Sequence, residues 1–208
     1  AKGFRAPPFE DANIGLDIPL FNIRALPNPD LRSETSDGWE AGLRREGRYT
    51  RLEFAAFHTD YDDFIETKAF VGVDPESGRL LFQSRNIGRA VIRGVELRFE
   101  QDLAAWHGRL DGWLARFASF WAKGEDRENH QPLNSVAPAQ AVLQLGWTRP
   151  DGAWDLLLSS TWTAAKHHAD IDQALHMLNR AQVLGIHDIG AMLIFHDRHL
   201  FPGSIALL

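Results

Sequence analysis

The sequence predicts an all-β fold: an antiparallel up-and-down meander of about seven strands, forming part of a transmembrane β-barrel. Three observations predict it. Apolar and polar residues alternate with period two through most of the chain, rather than recurring every three or four residues. Short turns and long polar connections follow one another in strict alternation. Several alternating runs reach 15 residues or more, whereas strands of soluble sandwiches cluster near about five or six.

An end strand is expected at Gly3 to Pro7. Further strands follow over roughly 36–45, 49–66, 84–100, 108–123, 139–149 and 153–166. In the second run Trp39, Ala41 and Leu43 alternate with Glu40, Gly42 and Arg44, and Arg45-Glu46-Gly47-Arg48 turns the chain into the third. In the fourth, Val95, Leu97 and Phe99 alternate with Glu96, Arg98 and Glu100, and 101–108 turns it into the fifth. The sixth sets Leu143, Leu145 and Trp147 against Gln144, Gly146 and Thr148. Arg149-Pro150-Asp151-Gly152 follows, with a proline that presets φ and a glycine free to take φ > 0, as a tight hairpin needs. In the seventh, Trp154, Leu156, Leu158 and Trp162 share one face, and Asp155, Ser159, Thr161 and Thr163 share the other.

Three long polar connections are expected, at Pro8 to Thr35, Thr67 to Gln83 and Gly124 to Pro138. A meander with this alternation puts every short turn at one end and every long connection at the other. Outer-membrane barrels have that asymmetry, together with apolar-out, polar-in strands of about ten residues. Trp147 and Trp154 flank a short turn, where an interfacial aromatic girdle would stand. A soluble sandwich or a lipocalin-like barrel with core tryptophans is the alternative that the pattern leaves open.

Composition narrows the functions available. The 208 residues carry 22 Lys+Arg against 28 Asp+Glu, a net charge of -6, which excludes a generally basic nucleic-acid binder. Hydrophobic residues at 44% and charged residues at 24% are those of a folded domain. The longest apolar stretch, Ile189 to Phe195, is far short of the roughly 18 residues of a spanning helix. The absence of cysteine removes disulfides, thiol nucleophiles and thiolate metal sites. There is no G-x-S-x-G elbow, P-loop or dinucleotide fingerprint, so no enzyme is expected. The chain opens on Ala1 without a signal-like segment, and is expected to be processed or a piece of something longer.

Residues 167–208 read differently from 1–166. They hold six of the nine histidines and both methionines, and Ile171, Leu175, Leu178 and Gln182 are spaced as on a helix. The expectation is a partial barrel over 1–166 and a divergent, helical tail over 167–208, with a change of reading frame near His167 as its origin.

Gly3-Phe4-Arg5-Ala6-Pro7, followed by Asn28-Pro29-Asp30-Leu31-Arg32-Ser33-Glu34-Thr35, resembles the paired boxes of TonB-dependent outer-membrane receptors, in the haem and haemoglobin (haemoglobin, transferrin, lactoferrin) uptake branch. Further similar boxes follow in order: Trp39 to Arg44, Thr59 to Glu66, Asn86-Ile87-Gly88 leading to Gly94-Val95-Glu96-Leu97, Lys123 to Asp126 and Gln131 to Val136. The resemblance implies a receptor of the Gram-negative cell outer membrane. It implies outer-membrane lipid around the barrel, a TonB complex acting through an N-terminal part, and haem or a haem protein as transported substrate, with no covalently bound cofactor. Seven strands cannot enclose a lumen, since about eight give an interior only wide enough for side chains. Alone, the chain is not expected to transport. A soluble all-β ligand-binding protein and the non-functional product of a broken receptor gene are the alternatives.

In such receptors the two boxes bracket an extracellular loop that often carries a haem-ligating histidine; here Pro8 to Pro27 has none. Arg5 is expected either to pair with a propionate or a protein partner, or, with Pro7, Asn28 and Pro29, to shape the strand-to-loop transition. His130, His167 and His168 fall on the long-loop side and are the remaining candidates for touching haem, against the commoner case of solvated loop histidines. His107 falls in a short turn at the opposite end. Asp60, Asp62 and Asp63 fail the EF-hand pattern at Ile65 and Val71 and read as an exposed acidic strand end. His196 and His199 read as an accidental pair rather than a metal site. Glu96 and Arg98, on the polar face of one strand, are expected to form a lumen-lining ion pair.

Overall fold

The computed structural model describes residues 1–133, 135–165, 186–196 and 204–207. All seven expected strands are present. They are β1 (Lys2–Arg5), β4 (Glu34–Glu46), β5 (Thr50–Val73), β6 (Leu80–Asp102), β7 (Trp113–Asp126), β8 (Gln140–Thr148) and β9 (Trp154–Thr163). Each pairs antiparallel with the next, so neighbours in sequence are neighbours in the sheet. Two further strands, β10 (Ile186–His196) and β11 (Ser204–Leu207), continue the meander past β9. The helical spacing at 171–182 lies outside the described residues.

Two of the expected long loops are shorter than the sequence pattern implies. Between β5 and β6 only Asp74 to Arg79 turn the chain, because both strands run on through Thr67 to Gln83. The pairing slips there between Glu66 and Ala69 and again between Phe70 and Gly72, and Lys68 takes φ 55°. Each bulge flips the side-chain alternation, which erases the period-two signal although the ladder persists. Within Pro8 to Thr35 lie a short helix α1 (Phe9–Asn13) and a hairpin of β2 (Leu16–Ile18) and β3 (Ile23–Leu26). Segments of three and four residues are too short to show a period. Here β3 is held by a parallel pairing with β6, Ile23 opposite Leu80 to Leu26 opposite Gln83, from a partner more than 50 residues away in sequence.

The register decides which residues share a face. One cross-strand row runs Leu43, Phe54, Leu97, Ser119, Ala141, Trp162; the adjoining residues form the row Arg44, Glu53, Arg98, Ala118, Val142, Thr161. The sheet therefore has one apolar and one charged face, as the alternating runs predicted. The apolar face is uncovered: Leu43, Phe54, Val95, Trp121, Leu143, Leu158 and Trp162 are all exposed. That is the reverse of a soluble sandwich, whose apolar faces pack together.

The buried cluster lies at the long-loop end. Phe64, Ile87, Ala90 and Leu133 are enclosed, with Tyr61, Ile92 and Val136 against them. Leu133 and Val136 come from the β7–β8 connection, which folds back over the sheet and is tied by Leu133 N–H to the Gly124 carbonyl at 3.0 Å. A Cβ at Gly124 would lie 2.5 Å from Val136 Cγ2, so a side chain there would push the connection away.

Candidate functional site

The two boxes at the long-loop end are joined by one buried carboxylate. Glu34, the first residue of β4, is 6% exposed. Its Oε2 accepts from the Arg5 guanidinium at 2.8 Å and from the Ile65 backbone N–H at 2.8 Å, while Arg5 also donates to the Ile65 carbonyl at 3.0 Å. One carboxylate thus holds β1, β4 and β5 together, and Arg5 carries the compensating charge that a buried anion requires. A second pairing repeats the arrangement one strand on. Buried Glu66 receives Nε and Nη2 of Arg85 at 3.1 and 3.0 Å.

Asn28 fastens the second box to β6. Its side-chain amide donates to the Ser84 carbonyl at 2.9 Å, and its Oδ1 accepts from Asp30 N–H at 3.1 Å, an Asx turn that starts at the Asn28-Pro29 step. Asn86 completes the junction, accepting from Arg32 N–H at 2.8 Å and donating to the carbonyls of Arg32 and Asp63 at 2.9 and 2.7 Å. Pro7 lies between β1 and α1, whose first turn closes on the Pro8 carbonyl. The structure therefore brings Arg5, Asn28 and Pro29 into one junction, with Glu34, Ser84 and Asn86 as partners. Glu34 and Asn86 stood inside the quoted boxes, but no local pattern marks the residue that will face Arg5 across 29 positions.

His130 stands apart from that junction, in the β7–β8 connection. It has φ 55°, is largely exposed, and sits with Nδ1 3.2 Å from Glu125 Oε1. That hydrogen bond, with lesser help from Lys123, holds the Glu125 carboxyl below the ordinary glutamate range, at the end of β7 beyond Trp121. His167 and His168 lie outside the described residues, as does His199. His107 sits in the β6–β7 turn at the opposite end, its Nδ1 accepting from Arg109 N–H. The three aspartates lie in the middle of β5, which runs on to Val73, rather than at a strand end, and each faces a cation: Asp60 with Arg127 at 3.7 Å, Asp62 with Arg89 at 3.9 Å, and Asp63 with Arg32 at 2.6 Å.

The charged face is the second feature of the site. Near the short turns Glu46, Arg51, Glu100, Arg116 and Gln144 form one cross-strand row, beside Arg44, Glu53 and Arg98. Opposite charges alternate along it, with Glu46 bonded to Arg51 and Arg116 Nε 2.8 Å from Glu100. A groove of about 350 Å³ runs over these side chains. The expected Glu96–Arg98 pair is not formed: Arg98 reaches Glu53, at 3.9 Å. Residues i and i+2 of a strand are about 6.6 Å apart along it, whereas directly opposed residues have Cβ atoms about 5 Å apart. The cross-strand partner is nearer.

Tryptophans bound the apolar face at both ends. Trp113, Trp147 and Trp154 meet at the short-turn end, with ring centroids 6.1 and 4.9 Å apart in sequence order. Trp121 and Trp162 each stand eight residues further along β7 and β9 on the same face, and Trp39 stands seven from Glu46 along β4. Nine residues from girdle to girdle match the roughly 9–11 of a tilted transmembrane β-strand.

Comparison with known proteins agrees with this geometry. Residues 1–182 match the family described as TonB dependent receptor-like, beta-barrel. Hemoglobin-haptoglobin utilization protein B of Neisseria meningitidis serogroup C is 29% identical over 189 residues, covering 82% of this chain and 23% of that protein. Probable hemoglobin and hemoglobin-haptoglobin-binding protein 3 of Haemophilus influenzae (strain ATCC 51907 / DSM 11121 / KW20 / Rd) is 26% identical over 201 residues, covering 82% and 18%. The chain thus spans about a quarter or less of the length of these curated relatives. Among solved structures, the copper transporter OprC superposes with a TM-score of 0.71 at 16% identity, over 95% of this chain and 28% of its own. The siderophore receptor PirA from Pseudomonas aeruginosa superposes with 0.63 at 16% identity, over 99% and 36%. With the ordered boxes, the exposed apolar face and a family match over most of its length, the chain belongs to the TonB-dependent receptor-like β-barrel family.

Proposed function

We propose that this chain is a stretch of barrel wall in a receptor of the Gram-negative outer membrane, and that the receptor takes up haem or haem-protein iron with energy from the TonB complex. The observation that carries the reading is the opposition of the two faces. An exposed apolar band bounded by tryptophans suits lipid, and a charged face suits the lumen of a plugged barrel. A soluble binding protein would turn that band inward. The haemoglobin-binding relatives support a haem-protein cargo. On this reading the end carrying Arg5, Pro7, Asn28, Pro29 and His130 faces outward, and the short turns face the periplasm. Haem is then cargo rather than a resident cofactor. The contact with TonB belongs to the part of the relatives' length that this chain does not match.

The test grafts this chain into the meningococcal relative in place of the matching segment. Expected are retention in the carbonate-washed outer-membrane fraction and growth on haemoglobin as iron source. A chimera that never inserts, while the unaltered relative does, overturns the wall assignment. A chimera that inserts and folds yet supports no growth on haemoglobin or haemin overturns the cargo.

A further inference from the structure

The apolar face ends, at the long-loop side, in a row that is not apolar. Trp39, His58, Arg93 and Lys123 stand directly opposite one another on β4, β5, β6 and β7. They share the face of Leu43, Phe54, Val95 and Trp121, since side chains two residues apart on a strand point the same way. His58 stacks on Trp39 with ring centroids 6.0 Å apart, and its Nε2 lies 3.0 Å from Asp60 Oδ2. Lys123 Nζ is 3.8 Å from Glu125 Oε2, a carboxylate already bonded to His130. Arg93 is exposed and has no carboxylate within ion-pair distance among the described residues.

Arg93 and Lys123 are therefore two cations directly across a strand pair, an arrangement that destabilises a sheet by itself. Their height gives it a purpose. Trp121 lies two residues below Lys123 on β7, so the two cations stand just past the girdle that closes the band, at the level where apolar chains give way to headgroups. Tryptophan suits that boundary, with an apolar ring and one N–H donor. We propose that Arg93 and Lys123, flanked by Trp39 and Trp121, form a binding site for the phosphate of an anionic lipid headgroup in the outward-facing leaflet. The phosphate bridges the two cations and offsets their repulsion, and the acyl chains lie along the band. The proposal rests on the membrane reading of the apolar face.

The experiment reconstitutes the chimera of the meningococcal relative that carries this chain in vesicles of phosphatidylcholine alone or with phosphatidylglycerol, and measures lipid retention by native mass spectrometry after detergent extraction. The unaltered chimera is expected to retain phosphatidylglycerol over phosphatidylcholine. The double variant Arg93→Gln/Lys123→Gln is expected to lose that preference by roughly 25-fold, at about fivefold per basic residue near an anionic surface. Arg51→Gln, on the charged face, is expected to leave it within about twofold. An unchanged preference in the double variant overturns the site. Inorganic phosphate at millimolar concentration should not displace the lipid; if it does, the site takes the free anion and the lipid assignment is overturned. Failure of the chimera to enter phosphatidylcholine vesicles, where the unaltered relative enters them, overturns the membrane reading itself, a result separate from loss of headgroup preference.

Discussion

Replacing Arg5 with alanine probes the junction most directly. The change removes two hydrogen bonds, at 2.8 Å to Glu34 and 3.0 Å to the Ile65 carbonyl, and leaves the Glu34 carboxylate buried with only the Ile65 N–H. Hydrogen bonds to charged groups contribute about 1.5–3 kcal/mol each, and stripping one partner from a fully buried pair costs about 3–5 kcal/mol. The Arg5 side chain is 46% exposed, so water replaces part of what is lost and about 2 kcal/mol is the expected cost. At about 1.4 kcal/mol per decade this is roughly a 30-fold faster hydrogen exchange for the β1 amides, which open when the strand leaves β4. Mass spectrometry of peptides covering residues 1–8, on the membrane-reconstituted chimera with the meningococcal relative, reads it. Glu34→Gln, which keeps an acceptor for Ile65 N–H, should give a smaller acceleration. Arg44→Ala, at an exposed pair with Glu46, should change exchange by less than about threefold. If Arg5→Ala leaves β1 exchange within that same range, the carboxylate does not hold the junction and the argument fails.

Gly94→Ala should destabilise the folded sheet by about 1–3 kcal/mol, because the added Cβ would meet the Trp121 carbonyl oxygen at 2.5 Å and the Phe57 ring at 2.6 Å. Denaturant midpoints of the reconstituted chimera measure it, and an unshifted midpoint would refute it. The β5–β6 turn should loosen in acid. The Ser77 hydroxyl and then the Glu76 N–H hold the Asp74 carboxyl below the ordinary aspartate range. A lowered folded pKa makes this contribution complete above the ordinary value, and it fades as pH falls through the lower folded one. The Glu76 and Ser77 amide resonances should therefore move below about pH 4 and stay fixed between pH 5 and 7. His130→Ala should let the Glu125 carboxyl titrate at higher pH than in the wild type, since that hydrogen bond is the main cause of its lowering. Carbon-13 titration of the Glu125 carboxyl checks it, and an unchanged midpoint would show that the Glu125–His130 bond is absent in solution.

The sequence by itself determined the meander, the strand order and the polarity of each face. Those depend on period-two alternation and on turns such as Pro150-Asp151-Gly152, which act within a few residues. It also determined the family, through boxes whose order survives although each one alone is short. Only the tertiary structure decided what those boxes do. Arg5 meets Glu34, Asn28 meets Ser84, and β3 docks parallel on β6, all through pairings of residues 29 to 57 positions apart. Bulges at Lys68 and Gly72 hid the last turns of β5 and β6 from any alternation count. The Arg98–Glu53 contact joins two strands, so no count along one strand could place it. The row that joins Arg93 to Lys123 exists only once register is set. A residue's face is a local property of a strand, but its partner is chosen by the neighbouring strand, and that choice is made when the sheet closes its ladder.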